Sequence, residues 1–117
     1  MKNISANLHI NSYINTIVDR IKNNYKIKNI ILFGSYAISN STKSSDIDLI
    51  VILDQKGISK NFEEKFNKKL KISKLFIDIK EKIPVDLLVY TVDEWERINE
   101  LNSSFIRNIR NHGIKII

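Results

Sequence analysis

The residues of this chain that could do chemistry are acids set inside apolar, strand-like sequence. Asp46-Ile47-Asp48-Leu49-Ile50-Val51 alternates, so Asp46 and Asp48 fall on one face of an extended segment. Their Cα atoms would lie roughly 6.7 Å apart at a rise of about 3.3 to 3.4 Å per residue, close enough for both carboxylates to reach one cation. Asp86 repeats the pattern in Val85-Asp86-Leu87-Leu88, where a buried carboxylate is costly unless it is paired or bound to metal. Three such carboxylates form an oxygen-rich site suited to Mg²⁺, which takes a few carboxylates and completes its shell with water and substrate phosphates. Two such ions about 3.5 to 4 Å apart can serve the attacking and leaving oxygens together. The plain alternative for Asp46 and Asp48 is an ordinary loop-to-strand junction, and Asp86 together with Gly34-Ser35 argues against it.

Phe33-Gly34-Ser35 ends an apolar run, Ile27 to Phe33. A glycine there lets the backbone turn sharply and approach an anion, and Ser35 offers a hydroxyl and an amide. If a short helix began at Ser35, its first amides would face a phosphate. Ten residues, Tyr36 to Ser45, separate Ser35 from Asp46, so the loop opened by the turn leads straight back into the acidic strand. Taken alone, Gly34 reads as a structural turn glycine, Tyr36 as a side chain packed across the loop base, and Lys43 as a solvated lysine.

These groups must be held by regular elements. Ile10, Ile14, Ile17, Val18, Ile21 and Tyr25 recur at helical spacing, with Asp19, Arg20 and Lys22 on the outer side. Strands are expected over Ile27 to Phe33, Asp46 to Leu53, and Val85 to Tyr90, with a polar loop over Ser39 to Ser45 that has room for a short helix at its start. After the turn at Asp54 to Gly57, the residues Phe62, Phe66, Leu70, Ile72, Leu75, Phe76 and Ile79 mark one long helix with a basic outer face. Thr91-Val92-Asp93-Glu94 has capping-box spacing, opening a helix whose buried side would be Trp95, Ile98 and Leu101. Ser103 or Ser104 can cap a further helix through Phe105, Ile106 and Ile109, Gly113 can end it, and Ile114 to Ile117 reads as an edge strand.

The position of the candidate groups restricts topology. For Gly34, at the end of the first strand, to meet Asp46 and Asp86, at the starts of the second and third, the first two strands must be antiparallel. The second and third must then be parallel, joined by the long helix as a right-handed crossover. The expected fold class is α/β (α+β), one mixed β-sheet with helices packed mainly on one face.

Composition excludes much else. The chain has 117 residues with no cysteine, three glycines and one proline. That length suits a single domain over residues 1–117, with enough core to fold without disulfides or structural zinc. The absence of cysteine removes thiolate, iron–sulfur and cysteine–zinc chemistry, and His9 and His112 stand at opposite ends of the sequence. No run approaches the roughly 20 apolar residues of a membrane span, and the N-terminus MKNISANLHI lacks signal-peptide features, so the expected setting is the cytoplasm. The net charge of +6 comes largely from lysine. It biases the chain toward polyanions, but direct nucleic-acid binding is not expected on that ground alone.

Gly34-Ser35, ten residues, Asp46-x-Asp48 and then Asp86 on a third strand resembles the signature of the minimal nucleotidyltransferases of the DNA polymerase β superfamily. The similarity extends through Val85-Asp86-Leu87-Leu88-Val89-Tyr90-Thr91 with its following acidic helix, and to Ser104-Phe105-Ile106-Arg107, covering most of residues 27–117. The resemblance implies a nucleotidyltransferase fold in which Asp46, Asp48 and Asp86 hold Mg²⁺, in two ions, on an NTP. It further implies that Gly34 and Ser35 bind the phosphates and that Asp86 helps activate an acceptor hydroxyl. The nucleotide would be ATP, with AMP transferred and pyrophosphate released. Proteins of this pattern often pair with an all-helical HEPN-domain ribonuclease in toxin–antitoxin modules, which implies the antitoxin role and a tyrosine of the HEPN toxin as acceptor.

Many relatives carry an arginine soon after Gly-Ser, whereas Tyr36-Ala37-Ile38-Ser39 has none and Lys43 is the only cation of the loop. Arginine would supply a fork of donors, and a lysine only a mobile point charge. A catalytically weak antitoxin that neutralises its toxin by complex formation therefore stands as the alternative. A small-molecule (antibiotic) nucleotidyltransferase stands behind it, because the chain leaves little length for a separate acceptor domain. Arg107 to His112 also matches the Arg-x4-His spacing of HEPN ribonucleases, but that motif works on paired helices of an all-α fold and is set aside here.

Overall fold

The computed structural model describes residues 8–38 and 45–117, with side chains from Ile10 onward. The Ser39 to Ser45 loop with Lys43 falls almost wholly outside the described residues, as does the His9 side chain. The elements are α1 (Leu8–Asn24), β1 (Ile27–Phe33), β2 (Ile47–Leu53), α2 (Phe62–Ser73), a 3-10 turn (Lys74–Phe76), α3 (Ile77–Lys80), β3 (Val85–Thr91), α4 (Val92–Leu101), α5 (Ser104–His112) and β4 (Ile114–Lys115). The four strands lie in the order β3-β2-β1-β4. β1 is antiparallel to β2 and β4, and β2 is parallel to β3, as the position of the acids requires.

Alternation along β2 divides the core. Leu49, Val51 and Leu53, with Ile30 and Leu32 of β1 and Leu87 and Val89 of β3, pack under Ile10, Ile14, Ile17 and Ile21 of α1 and under Ile72, Phe76 and Ile79. Ile50 and Ile52 face the other way, joining Tyr90 and Ile109 in a smaller cluster that Trp95 and Ile98 of α4 flank. The larger core thus lies on one side, as expected. The face bearing the even-numbered residues of β2 is the less covered one, and Asp48 belongs to it.

Capping chemistry sets the helix limits. Asn61 accepts from the Glu64 amide at the start of α2, Ser103 caps α5, and Thr91 with Glu94 forms the expected capping box at α4. Glu94 is buried and also accepts from the Ser59 amide at 3.1 Å, while the Thr91 hydroxyl donates to the Gly57 carbonyl at 2.6 Å. The β2–α2 connection is thereby fixed to the end of β3. α4 ends at Asn102 in the left-handed conformation (φ 48°). There Arg107 and Arg110 bond its terminal Asn99 and Asn102 oxygens, the usual place for cations at a helix C-terminus.

Several expectations need correction. The long helix breaks at Ser73, where a 3-10 turn re-aims the chain so that Phe76 and Ile79 both enter the core. Phe62, Phe66 and Leu70 do not share that core and are exposed, Phe62 at 80%. Leu101, at the fraying end of α4, is 77% exposed rather than buried, and Phe105 lies open beside Phe33, edge to face at 5.9 Å. Arg20 is not free in solvent, because its guanidinium grips Asp78 at 2.6 and 3.1 Å and the Leu75 carbonyl at 3.1 Å. β2 begins at Ile47, one residue after Asp46, and β4 is a two-residue strand.

Candidate active site

Strand register alone assembles the candidate residues. Phe33 stands opposite Asp48 on the antiparallel side of β2, and Asp86 stands opposite Asp48 on the parallel side. Gly34, Asp48 and Asp86 therefore lie across three neighbouring strands at one end of the sheet. Asp46 lies just ahead of β2 and is exposed, as is Asp86, while Asp48 is half-buried. The Ile47 amide donates to the Pro84 carbonyl at 2.9 Å, tying the entry of β2 to that of β3 and keeping the two acidic segments level.

Gly34 has φ +74°, a left-handed conformation that L side chains rarely adopt. A Cβ at this position would also collide with the Asp48 carboxylate. Residues 35–38 form a tight turn rather than the short helix for which the sequence has room, and the Ala37 amide donates to the Gly34 carbonyl at 3.1 Å. Tyr36 is buried across the base of the loop, and its hydroxyl donates to the Ser45 carbonyl at 3.3 Å. Burial, and then the charge of Asp46, push its hydroxyl above the ordinary pKa.

The electrostatics are those of neighbouring acids with no paired counter-charge among the described residues. Desolvation, followed by the charges of Asp86 and Asp46, pushes the Asp48 carboxyl up to about 6. Among the described residues none of the three aspartates is ion-paired with a lysine or arginine. In the conformations seen, no three Asp, Glu or His side chains among the described residues already converge as a ligand cluster. The donor chemistry nonetheless fits a hard divalent cation, whose charge would relieve the repulsion that raises Asp48.

The turn opens into a cleft of about 760 Å³ with Gly34, Ser35, Ala37 and Ile38 on one side and Asn108, Asn111 and His112 on the other. The aspartates lie outside this lining, and Asp48 adjoins it through Gly34. The far wall was missed by sequence reasoning. Asn108, Asn111 and His112 are spaced i, i+3, i+4, a polar face on α5 opposite buried Ile106 and Ile109, and that spacing was the available signal. What brings this face to Gly34 is the pairing of Ile114 with Leu32, which sets the end of α5 beside the end of β1.

Comparison with known proteins shows the family and the fold. Residues 15–117 match the family described as Polymerase beta, Nucleotidyltransferase. A Methanocaldococcus jannaschii protein provisionally named a protein adenylyltransferase is 51% identical over 35 residues, covering 30% of this chain and 35% of that one. Another from the same organism, with the same provisional name, is 46% identical over 43 residues, covering 35% and 43%. The matched segments thus span 35% and 43% of these curated relatives, under half of each. A toxin–antitoxin crystal structure with AMP-PNP shares the fold at TM-score 0.53 and 20% identity, over 88% of this chain and 71% of that one. A Sulfolobus solfataricus structure provisionally named a nucleotidyltransferase does so at TM-score 0.52 and 24% identity, over 75% and 78%. With the family match running from α1 to β4 and the Gly-Ser turn, the Asp-x-Asp segment and Asp86 at one end of the sheet, the chain belongs to the polymerase beta nucleotidyltransferase family.

Proposed function

We propose that this chain is an adenylyltransferase that moves AMP from ATP to a hydroxyl of a partner protein, acting as the antitoxin of a HEPN toxin in the cytoplasm. The observation that carries the reading is that strand register brings Asp46, Asp48 and Asp86 to one end of the sheet, with Asp48 raised to about 6 and set directly against the Gly34 turn. Support for the nucleotide and the protein acceptor comes from the names of the relatives and from the AMP-PNP-bound toxin–antitoxin of similar fold.

Asp46 and Asp48, completed by Asp86, would hold Mg²⁺ in a two-ion arrangement. When bound, the metal neutralises the triphosphate and the departing pyrophosphate. The Gly34-Ser35 turn binds phosphate oxygens through the Ser35 amide and hydroxyl. Asn108, Asn111 and His112 supply polar groups across the cleft from the loop that lacks the arginine of many relatives. The acceptor oxygen attacks the α-phosphorus, the bond to the β-phosphate oxygen breaks, and pyrophosphate leaves. Asp86, exposed at the start of β3, takes the acceptor proton.

Intact-mass spectrometry of the HEPN protein after incubation with this chain, ATP and Mg²⁺ tests the proposal. Added AMP on a tyrosine is the expected result. Protection from the toxin with no mass change, retained by an Asp46→Asn/Asp48→Asn variant, would instead establish neutralisation by complex formation.

A further inference from the structure

Phe62, Lys65, Phe66 and Lys69 recur at i, i+3, i+4, i+7 and form one face of α2, which lines a groove of about 270 Å³. The opposite wall is Leu87 to Tyr90 of β3. Consecutive strand residues point to opposite faces of a sheet, so four in a row can line one groove only if it runs along the strand's edge. β3 is an edge strand, and every second residue of it turns its N–H and C=O away from β2. The groove therefore combines an open hydrogen-bonding edge with an aromatic wall. Phe62 and Phe66 stack at 5.7 Å with 15° between their planes, exposed at 80% and 43%. Exposed aromatics beside an open edge mark an interaction surface more than a solvated face.

Charge decides what fits. Lys65 lies 4.3 Å over the Tyr90 ring and Lys69 follows one turn later, so the wall is apolar with a basic rim. A second copy pairing through β3 would bring these lysines against their own counterparts, in a chain of net charge +6. An oligonucleotide would meet the rim but leave the strand's backbone donors and acceptors unmatched. We propose that this groove receives an extended, acidic and apolar segment of another protein, which adds to the sheet as a fifth strand beside β3. Its apolar side chains cover Phe62 and Phe66 and its carboxylates pair with Lys65 and Lys69. The proposal does not rest on the proposed function, since it is drawn from the groove, the strand edge and the two lysines and not from Asp86, which precedes Leu87 on the same strand.

The probe is a peptide about eight residues long, a usual strand length, capped at both ends and alternating valine with glutamate. Its binding to the whole chain is followed by fluorescence anisotropy and by backbone amide NMR. Saturable binding is expected, with slowed hydrogen exchange at β3 amides. It should weaken about tenfold in Lys65→Glu/Lys69→Glu, and it should be lost when alternate peptide nitrogens are methylated. Three results would overturn the proposal: equal binding of the valine–lysine counterpart, competition by oligo(dT), or a dimer of the free chain that buries β3 in sedimentation and NMR. Both lysines are partly buried, and Lys65 sits over Tyr90 and helps hold the Glu94 charge, so Lys65→Gln/Lys69→Gln is assayed beside the charge reversal, and the melting curve of each variant separates lost binding from lost folding.

Discussion

Gly34 and Asp48 share one position in space: the volume a side chain would need at residue 34 is filled by the Asp48 carboxylate. The glycine that opens the turn after β1 is thus also the residue that lets β2 present its acid at the end of β1. Gly34→Ala would have to hold φ +74° and displace that carboxylate. The expected cost is about 1 to 3 kcal/mol of stability and a fall of roughly a hundredfold in kcat/KM, in line with small misplacements at reacting centres. Thermal melting and steady-state transfer assays read the two effects separately, and full activity in this variant would dissociate turn from carboxylate.

Asp48 links the site to stability with a definite sign. Its folded pKa of about 6 lies above the ordinary 3.8, so its charge destabilises the metal-free fold as pH rises through that interval, and the effect is absent below it. Asp48→Asn should therefore stabilise the chelator-treated protein at pH 7.5 by about 1 kcal/mol, the carboxyl being only half-buried and partly screened. That corresponds to roughly 4 °C in Tm. The difference should vanish near pH 4, and added Mg²⁺ should raise the melting temperature of the wild type but not of the variant.

Glu94 predicts the opposite pH behaviour. Burial opposes its charge, yet hydrogen bonds from the Thr91 and Ser59 amides outweigh burial and hold its carboxyl below the ordinary value. Its contribution is present above the unfolded pKa and is lost as pH falls through the folded one. Glu94→Ala should lower stability by about 1 to 2 kcal/mol at neutral pH, through the lost cap and the freed connection at Ser59. Chemical denaturation at pH 7 and pH 3 checks this, the penalty shrinking at the lower pH.

The α5 wall yields a kinetic prediction. If Asn111 and His112 contact bound nucleotide across the cleft from Ser35, replacing both with alanine removes binding shared by ground and transition states. KM for ATP should rise about tenfold with kcat little changed. A fall in kcat at constant KM would place these side chains elsewhere in the reaction.

The acids were legible because Asp48 and Asp86 interrupt apolar strands, and requiring them to meet Gly34 predicted the strand directions. The burial expected of Asp86 was not met, since it is exposed at the sheet edge while Asp48 is half-buried. Thr91 to Glu94 was legible because a capping box is local. Phe62, Phe66 and Leu70 were misread because helical periodicity reports that a face is apolar and not what covers it. The break at Ser73 carries no glycine or proline to announce it. The α5 wall depends on β4 pairing with β1, a long-range contact made by two residues, too short to leave a pattern. The Arg20–Asp78 pair was hidden for the same reason, joining residues 58 positions apart.

The most direct measurement is transfer of label from ATP, carried in one experiment on the α-phosphate and in another on the γ-phosphate. Wild type and Asp46→Asn/Asp48→Asn are compared with Mg²⁺ and the HEPN partner. The expected result is partner labelled from the α-position only, by the wild type only, and not in the presence of chelator. Undiminished labelling by the double variant, or label arriving from the γ-position, would contradict nucleotidyl transfer at these aspartates.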